Sequence, residues 1–263
     1  MVSFRVLTNV FIFAVAALLW LGDVAAALES EDEHGSCPAW SYSGANGPEH
    51  WGDLCAEFAA CKNGKEQSPL NITHPKKEHL SGIEFAYHPA PLDLVNNGHS
   101  IEQSFAPGNG NTITVDGRQY ELAQFHFHHP SEEAINGKHY DMVAHFVHAS
   151  KDGQFAVVGV LIKQGKANPL IATLWGNLPA EKGRPNKSTA VEVNPMQLIP
   201  AKHGYYMYKG SLTTPPCTEG ITFYILEKPM ELSKAQIAKF AEYYPDNARP
   251  DQSLNGRVVE RSK

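Results

Sequence analysis

The stretch "TITVDGRQYELAQFHFH", residues 112–128, constrains the fold more than any other part of this chain. Two runs rich in β-branched and aromatic residues flank an Asp116-Gly117 turn signal, the pattern of antiparallel strands joined by a tight turn. "LDLVNNGHSIEQSF", "YDMVAHFVH", "QFAVVGVLIKQG" and "GITFYILEKPM" also read as strands, and Asn96-Asn97-Gly98 and Asp152-Gly153 mark further turns. Strands so closely spaced predict a mainly β (α+β) fold with a large, twisted, mostly antiparallel central sheet. Few helices are expected. Asn168 caps one that begins at Pro169 and runs to about Trp175, and Ser233 with Gln236 forms a capping box for another that stops before Pro245. "SCPAWSYSGANGPEHWGDL" reads as an ordered N-terminal wrap. With no internal repeat and no low-complexity linker, the expectation is a single domain over residues 28–263.

Residues 1–27 read as a segment removed on export. Arg5 precedes an unbroken apolar run from Val10 to Leu21, and small residues follow at Ala25 to Ala27. Twelve apolar residues are too few to span a bilayer, so a signal peptide is expected and no stable membrane anchor. Export favours disulfides among Cys37, Cys55, Cys61 and Cys217, for which spacing leaves three connectivities open. The compartment is periplasmic or extracellular; the sequons at Asn71 and Asn186 matter only in a eukaryote. A formal charge of −6 and the lack of any Lys/Arg block exclude a nucleic-acid surface. Oligomeric state, a dimer included, stays open.

Residues 124–148 hold six histidines. In a strand, residues two apart share a face. His126 and His128 therefore face one way, and Phe125 and Phe127 the other. His145 on a neighbouring strand shares its face with Val147 and can complete a three-nitrogen site, while His148 points to the opposite face. Three protein nitrogens with a fourth position open to water is the arrangement of catalytic zinc. His129, at the strand end, and His139, in a turn, read as surface residues.

Taken with these histidines, "SE", "HFVH" and "GSLTTPPC" make the chain resemble an alpha-class carbonic anhydrase. The similarity runs in order from "WSYSGANGPEHW" through "QSPL", "LVNNGH" and "AVVGVLIKQG" to "NARPDQSLNGR". The resemblance implies reversible hydration of carbon dioxide to bicarbonate and a proton by a zinc-bound hydroxide, with Zn2+ on His126, His128 and His145. It further implies that Thr213 accepts the hydroxide's hydrogen bond, donates its own hydrogen to Glu132, and so orients the hydroxide. Thr214 lies on the substrate side, and Val147, Val157, Leu212 and Phe223 line an apolar carbon dioxide pocket. His99 is implied as the proton shuttle, with Tyr42, Asn97 and Glu102 along the proton path. Gln124 is the implied partner of the first ligand and the Asn247 carbonyl that of the second. A Cys61–Cys217 disulfide is implied too, which leaves Cys37 and Cys55 to each other. Two other readings are a non-catalytic binding protein on the same framework, from which a metal histidine is typically lost, and a zinc esterase.

The chain departs from the family at three polar positions and one aromatic one. Phe223 stands where a tryptophan is common. Glu102 stands where an amide is expected, and a carboxylate there is expected to favour protonated His99. Val143 replaces the glutamate that serves the third ligand from two residues before it, and Glu133 replaces the histidine that partners that glutamate. A compensating exchange is expected, in which Glu133 turns to His145 and accepts its Nδ1 proton.

Overall fold

In a computed structural model, which describes residues 37–263, the chain is organised around one sheet. The expected signal peptide lies outside the described residues. The strands are β1 (Asn71–Ile72), β2 (Lys76–Glu78), β3 (Glu84–Ala86), β4 (Ala90–Asn96), β5 (Ile101–Ser104), β6 (Thr112–Val115), β7 (Arg118–His128), β8 (Ala134–Ile135), β9 (Lys138–His139), β10 (Met142–Ala149), β11 (Phe155–Gln164), β12 (Asn186–Val193), β13 (Tyr205–Ser211), β14 (Glu219–Leu232) and β15 (Glu260–Ser262). Twelve form a mixed sheet ordered β12-β4-β5-β7-β10-β11-β14-β13-β15-β2, with β6 and β3 added beside β7; β1, β8 and β9 form a small second sheet. Most pairs are antiparallel, and β11–β14, β15–β2 and, in the small sheet, β1–β8 are parallel. The expected mainly β architecture is the one observed, with Pro38–Lys263 forming one compact unit.

The helices form where their caps predict. Pro169–Gly176 starts on Asn168, whose side chain accepts the N–H groups of Leu170 and Ile171. Lys234–Ala241 starts on the reciprocal Ser233–Gln236 capping box. Both are peripheral. The N-terminal wrap has a 3-10 turn at Gly44–Asn46, one turn of α-helix at Trp51–Leu54 and no strand, and fully buried Trp51 anchors it. No helix among the described residues is long and apolar enough to cross a membrane.

Strand parity divides the sheet into two unlike faces. Phe125 and Phe127 of β7 and Met142, Ala144 and Phe146 of β10 enter the larger core. Val143 of β10, with Val147 packed beside it, enters a smaller apolar cluster on the other face. The pairing of β10 with β7 slips once: Val147 lies opposite Gln124 and His148 opposite Leu122, so Ala123 is an extra residue. This bulge resets the parity of β7. Leu122 and Phe125 thus both reach the larger core while Gln124, His126 and His128 face the other way. The strand β11 has no polar face over "AVVGVLI", as expected for a strand covered on both sides.

Candidate metal centre

His126 and His128 project from adjacent same-face positions of β7, and His145 lies directly opposite His126 on β10. Three imidazoles from two paired strands thus meet without help from a flexible segment. Their ligating nitrogens lie within 4.8 Å of one another, the one group of that kind among the described residues. His128 and His145 are buried, and His126 is partly exposed.

The outward nitrogens are committed. His126 Nδ1 donates to Gln124 Oε1 at 2.8 Å and His128 Nδ1 donates to the Asn247 carbonyl at 2.7 Å. Both bonds fix the tautomer and leave Nε2 as a lone pair. The two Nε2 atoms face each other at 3.0 Å. His145 is turned the other way round. Its Nε2 lies 3.2 Å from each oxygen of Glu133, so Nδ1 faces inward. The expected contact with Glu133 was assigned to Nδ1; it is made at Nε2, because β10 presents the His145 ring with its Nδ1 edge towards His126 and His128.

This donor set fits a metal cation. Opposed lone pairs repel, and their 3.0 Å spacing is near the ~3.3 Å that two nitrogens of a tetrahedral zinc would span. Glu132 Oε2, also fully buried, has no hydrogen-bond partner and lies 3.4 Å from His128 Nε2 and 3.7 Å from His145 Nδ1. Burial, then the neighbouring His145, pushes the His126 pKa down to about 3. Burial, then His126 and His145, holds His128 well below the usual value. Burial lowers His145 as well, but the charge and hydrogen bond of Glu133, with Glu132 behind them, outweigh it and the net shift is upward. The Glu132 carboxyl is raised to about 7, by burial first. His145 and Glu133 oppose this shift and reinforce it respectively, and the Arg249 N–H and the nearby Thr213 hydroxyl pull the value down.

Glu102 lies opposite His126 on β5, and the implied apolar residues form a cluster next to His145. Val157 and Phe223, with Val147 and Leu212 packed beside them, belong to one apolar cluster, and the Phe223 ring lies 5.9 Å from that of His145. Thr213 is buried, and the Thr214 carbonyl accepts the Cys217 N–H at 2.9 Å. Cys217 is bonded to Cys61, so the helical turn Ala60–Asn63 and the threonine turn are joined covalently. Cys37 and Cys55 are disulfide-bonded too, and no described cysteine is free. His99 stacks on Trp40 with ring centroids 3.7 Å apart, and Tyr42 approaches it edge-on at 6.5 Å. Asn97 shapes this turn, its Oδ1 accepting the N–H groups of His99 and Ser100 while its amide reaches Glu102 at 3.4 Å. The expected effect of Glu102 on His99 is not found: the His99 pKa is lowered, by partial burial and then by Lys182. Glu102 is itself raised by burial. His129 and His139 lie outside the centre and bond backbone carbonyls, of Pro245 and Ser131.

The side-chain role of Asn247, and the residues Arg249 and Gly159, went unread in the sequence. Fully buried Asn247 donates to the His99 and Phe127 carbonyls, so the residue that holds His128 also holds the His99 turn. Buried Arg249 binds Gln67, Ser68 and Cys61 through its guanidinium while its N–H holds Glu132 Oε1 at 2.9 Å. Gly159 pairs with His145, and a Cβ there would lie 2.5 Å from Ile225 and 3.6 Å from the His145 ring. That glycine within an apolar run was the available signal.

The comparisons agree with this geometry. The family model for eukaryotic-type carbonic anhydrase matches residues 46–263. A carbonic anhydrase of Klebsiella pneumoniae is 45% identical over 221 residues, 84% of this chain and 89% of that protein. A hyperthermostable carbonic anhydrase from a hydrothermal vent chimney superposes with a TM-score of 0.81 at 48% identity, over 86% of this chain and all of that one. The alpha-carbonic anhydrase of Thermovibrio ammonificans, solved with sulfanilamide, also gives 0.81, at 43% identity over 87% of this chain and all of that one.

Proposed function

The chain belongs to the alpha carbonic anhydrase family and is a zinc-dependent enzyme of reversible carbon dioxide hydration, and from that premise we propose how its residues divide the work. His126 and His128 through Nε2 and His145 through Nδ1 hold the zinc. When bound, the metal supplies Lewis acidity, bringing the pKa of a coordinated water to near 7 (carbonic anhydrase is the standard example). Glu132 keeps Oε1 on the Arg249 N–H and offers Oε2 to the Thr213 hydroxyl. A carboxylate can only accept, so Thr213 donates to it, and Thr213 Oγ1 is left to accept a hydrogen bond from the nucleophile and so aim its lone pair. Val147, Val157, Leu212 and Phe223 exclude water from the side on which apolar carbon dioxide arrives, with Thr214 at its edge. His99 takes the released proton outward on its imidazole, past Tyr42, Asn97 and Glu102. Partial burial and then Lys182 lower its pKa from the ordinary value, so the imidazole gives the proton up readily to buffer.

The observation that carries this reading is the convergence of three imidazole nitrogens whose partners on the far side are all acceptors. A binding protein that had given up catalysis would have no need to keep all three. Export to a periplasmic or extracellular compartment belongs to the same reading and is supported by the cysteines, which are oxidised. The test is stopped-flow carbon dioxide hydration on protein stripped with a chelator and reloaded with zinc. Activity should vanish on stripping and return at one zinc per chain; activity indifferent to the metal would refute the assignment.

A further inference from the structure

We propose that Glu133 is the positioning residue for the third metal ligand, a carboxylate supplied by the 129–133 segment in place of one on the ligand's own strand. The inference rests on the zinc reading above and deepens it. Glu133 and His145 are both buried, and the two Glu133 oxygens are equidistant, at 3.2 Å, from one nitrogen. The N–H at Nε2 therefore points between two acceptors, a charge-assisted contact that admits only one tautomer. With the proton held at Nε2, the Nδ1 lone pair is the one available to the metal.

Glu133 is itself held from several sides. The Ser131 hydroxyl donates to its carbonyl at 2.7 Å, and the Tyr140 N–H donates to that hydroxyl at 2.9 Å. On the other flank, Ala134 and Ile135 pair with Asn71 and Ile72 in the small sheet. The Tyr208 hydroxyl donates to Glu133 Oε1 at 3.3 Å. Position 143 shares a strand face with His145, so it is the other place from which a carboxylate could reach that ring. Val143 is fully buried there, in the apolar cluster that also contains Tyr208. The two positions are thus alternatives: one carboxylate is needed, and a second would compete for a single N–H next to Glu132. The neighbouring pair then has distinct duties on one imidazole, Glu133 at Nε2 and Glu132 near Nδ1.

This makes a signed prediction about pairs of substitutions. Glu133→Ala should speed zinc release into excess chelator by about 10- to 100-fold. Glu133→Gln, which keeps an acceptor of the same shape, should fall between. Val143→Glu in the Glu133→Ala background should slow release again, whereas Val143→Glu alone should lower thermal stability, because it buries a third carboxylate. The visible spectrum of the cobalt-loaded proteins should shift in Glu133→Ala and return in the double variant. Near-UV circular dichroism of the zinc-free proteins checks that each is folded. Release from a folded Glu133→Ala or Glu133→Gln protein at the wild-type rate overturns the proposal. So does faster release that Val143→Glu leaves uncorrected, which would mark Glu133 as merely structural. A wild-type chain that retains no zinc would be a separate result and would overturn the metal reading itself.

Discussion

His148, three residues beyond the third ligand, should make the stability of this protein depend on pH. It faces the larger core, fully buried, with Nε2 2.6 Å from the Tyr87 hydroxyl and Nδ1 3.3 Å from the Ala156 carbonyl. Burial lowers its pKa to about 4, against smaller raising contributions from the Ala156 and Phe146 backbone. In the unfolded chain the value is about 6.5. The folded pKa is depressed, so the unfolded state binds more protons between these values. Stability from this residue is therefore complete above pH ~6.5 and is lost as the pH falls towards ~4. For one group with these constants, the loss between pH 8 and pH 5 is about 2 kcal/mol, and the full loss about 3 kcal/mol. His148→Phe removes the titrating group at the expense of the Tyr87 hydrogen bond, about 1 kcal/mol. At pH 8 the variant should be the less stable protein, and at pH 5 the difference should close or reverse. Urea unfolding of the zinc-loaded proteins at both pH values measures this, and the other histidines cancel in the comparison. A difference between variant and wild type that is the same at pH 8 and pH 5 would refute the reasoning.

Three further outcomes follow from the site. Thr213→Val should lower kcat/KM by about 100-fold through lost orientation while zinc content, measured by metal analysis, stays at the wild-type level. His99→Ala should slow turnover by about 100-fold in dilute buffer and be rescued by added imidazole, since the residue moves a proton and does not bind substrate; stopped-flow rates with and without imidazole check this. Replacing Cys61 and Cys217 together by serine opens a closure with a sequence separation of 156 residues. The chain-entropy limit for that closure is about 5 kcal/mol, and the urea midpoint should fall accordingly.

Much of the site was legible because it depends on strand parity, which a sequence displays directly. The alternation in "QFHFH" separates ligands from core, and His145 and His148 fall on opposite faces by the same rule. The caps at Asn168 and Ser233 were legible for a similar reason, since a cap is a local bond between near neighbours. What was not legible depends on side-chain direction and distant segments. Parity says that His145 faces the site but not which ring edge leads, so the Glu133 contact was expected at the wrong nitrogen. The Asn247 carbonyl was expected through the resemblance, but its amide's hold on the His99 and Phe127 carbonyls and the role of Arg249 act across more than a hundred residues of sequence, and nothing local announces them. Glu102 was expected to act on His99 through charge; its carboxylate is instead spent on Ser104 and Asn97, and Lys182 is what reaches His99.

The alternation on β10 also explains how residues next to the metal centre can change without loss of the fold. Met142, Ala144, Phe146 and His148 are bound up with the larger core, where a change of volume costs stability directly. Val143, His145 and Val147 look onto the smaller cluster and the site, so that face can be rewritten with less effect on the packing behind it. An exchange that moves a carboxylate from position 143 to position 133 stays wholly on the site's side of the sheet. The same exchange at position 144 or 146 would bury a charge among phenylalanines, with no N–H waiting for it. Substitution beside the third ligand is therefore least costly at residues on the site's side of the sheet, and Glu133 and Val143 should be read as a pair, each constraining what the other can be.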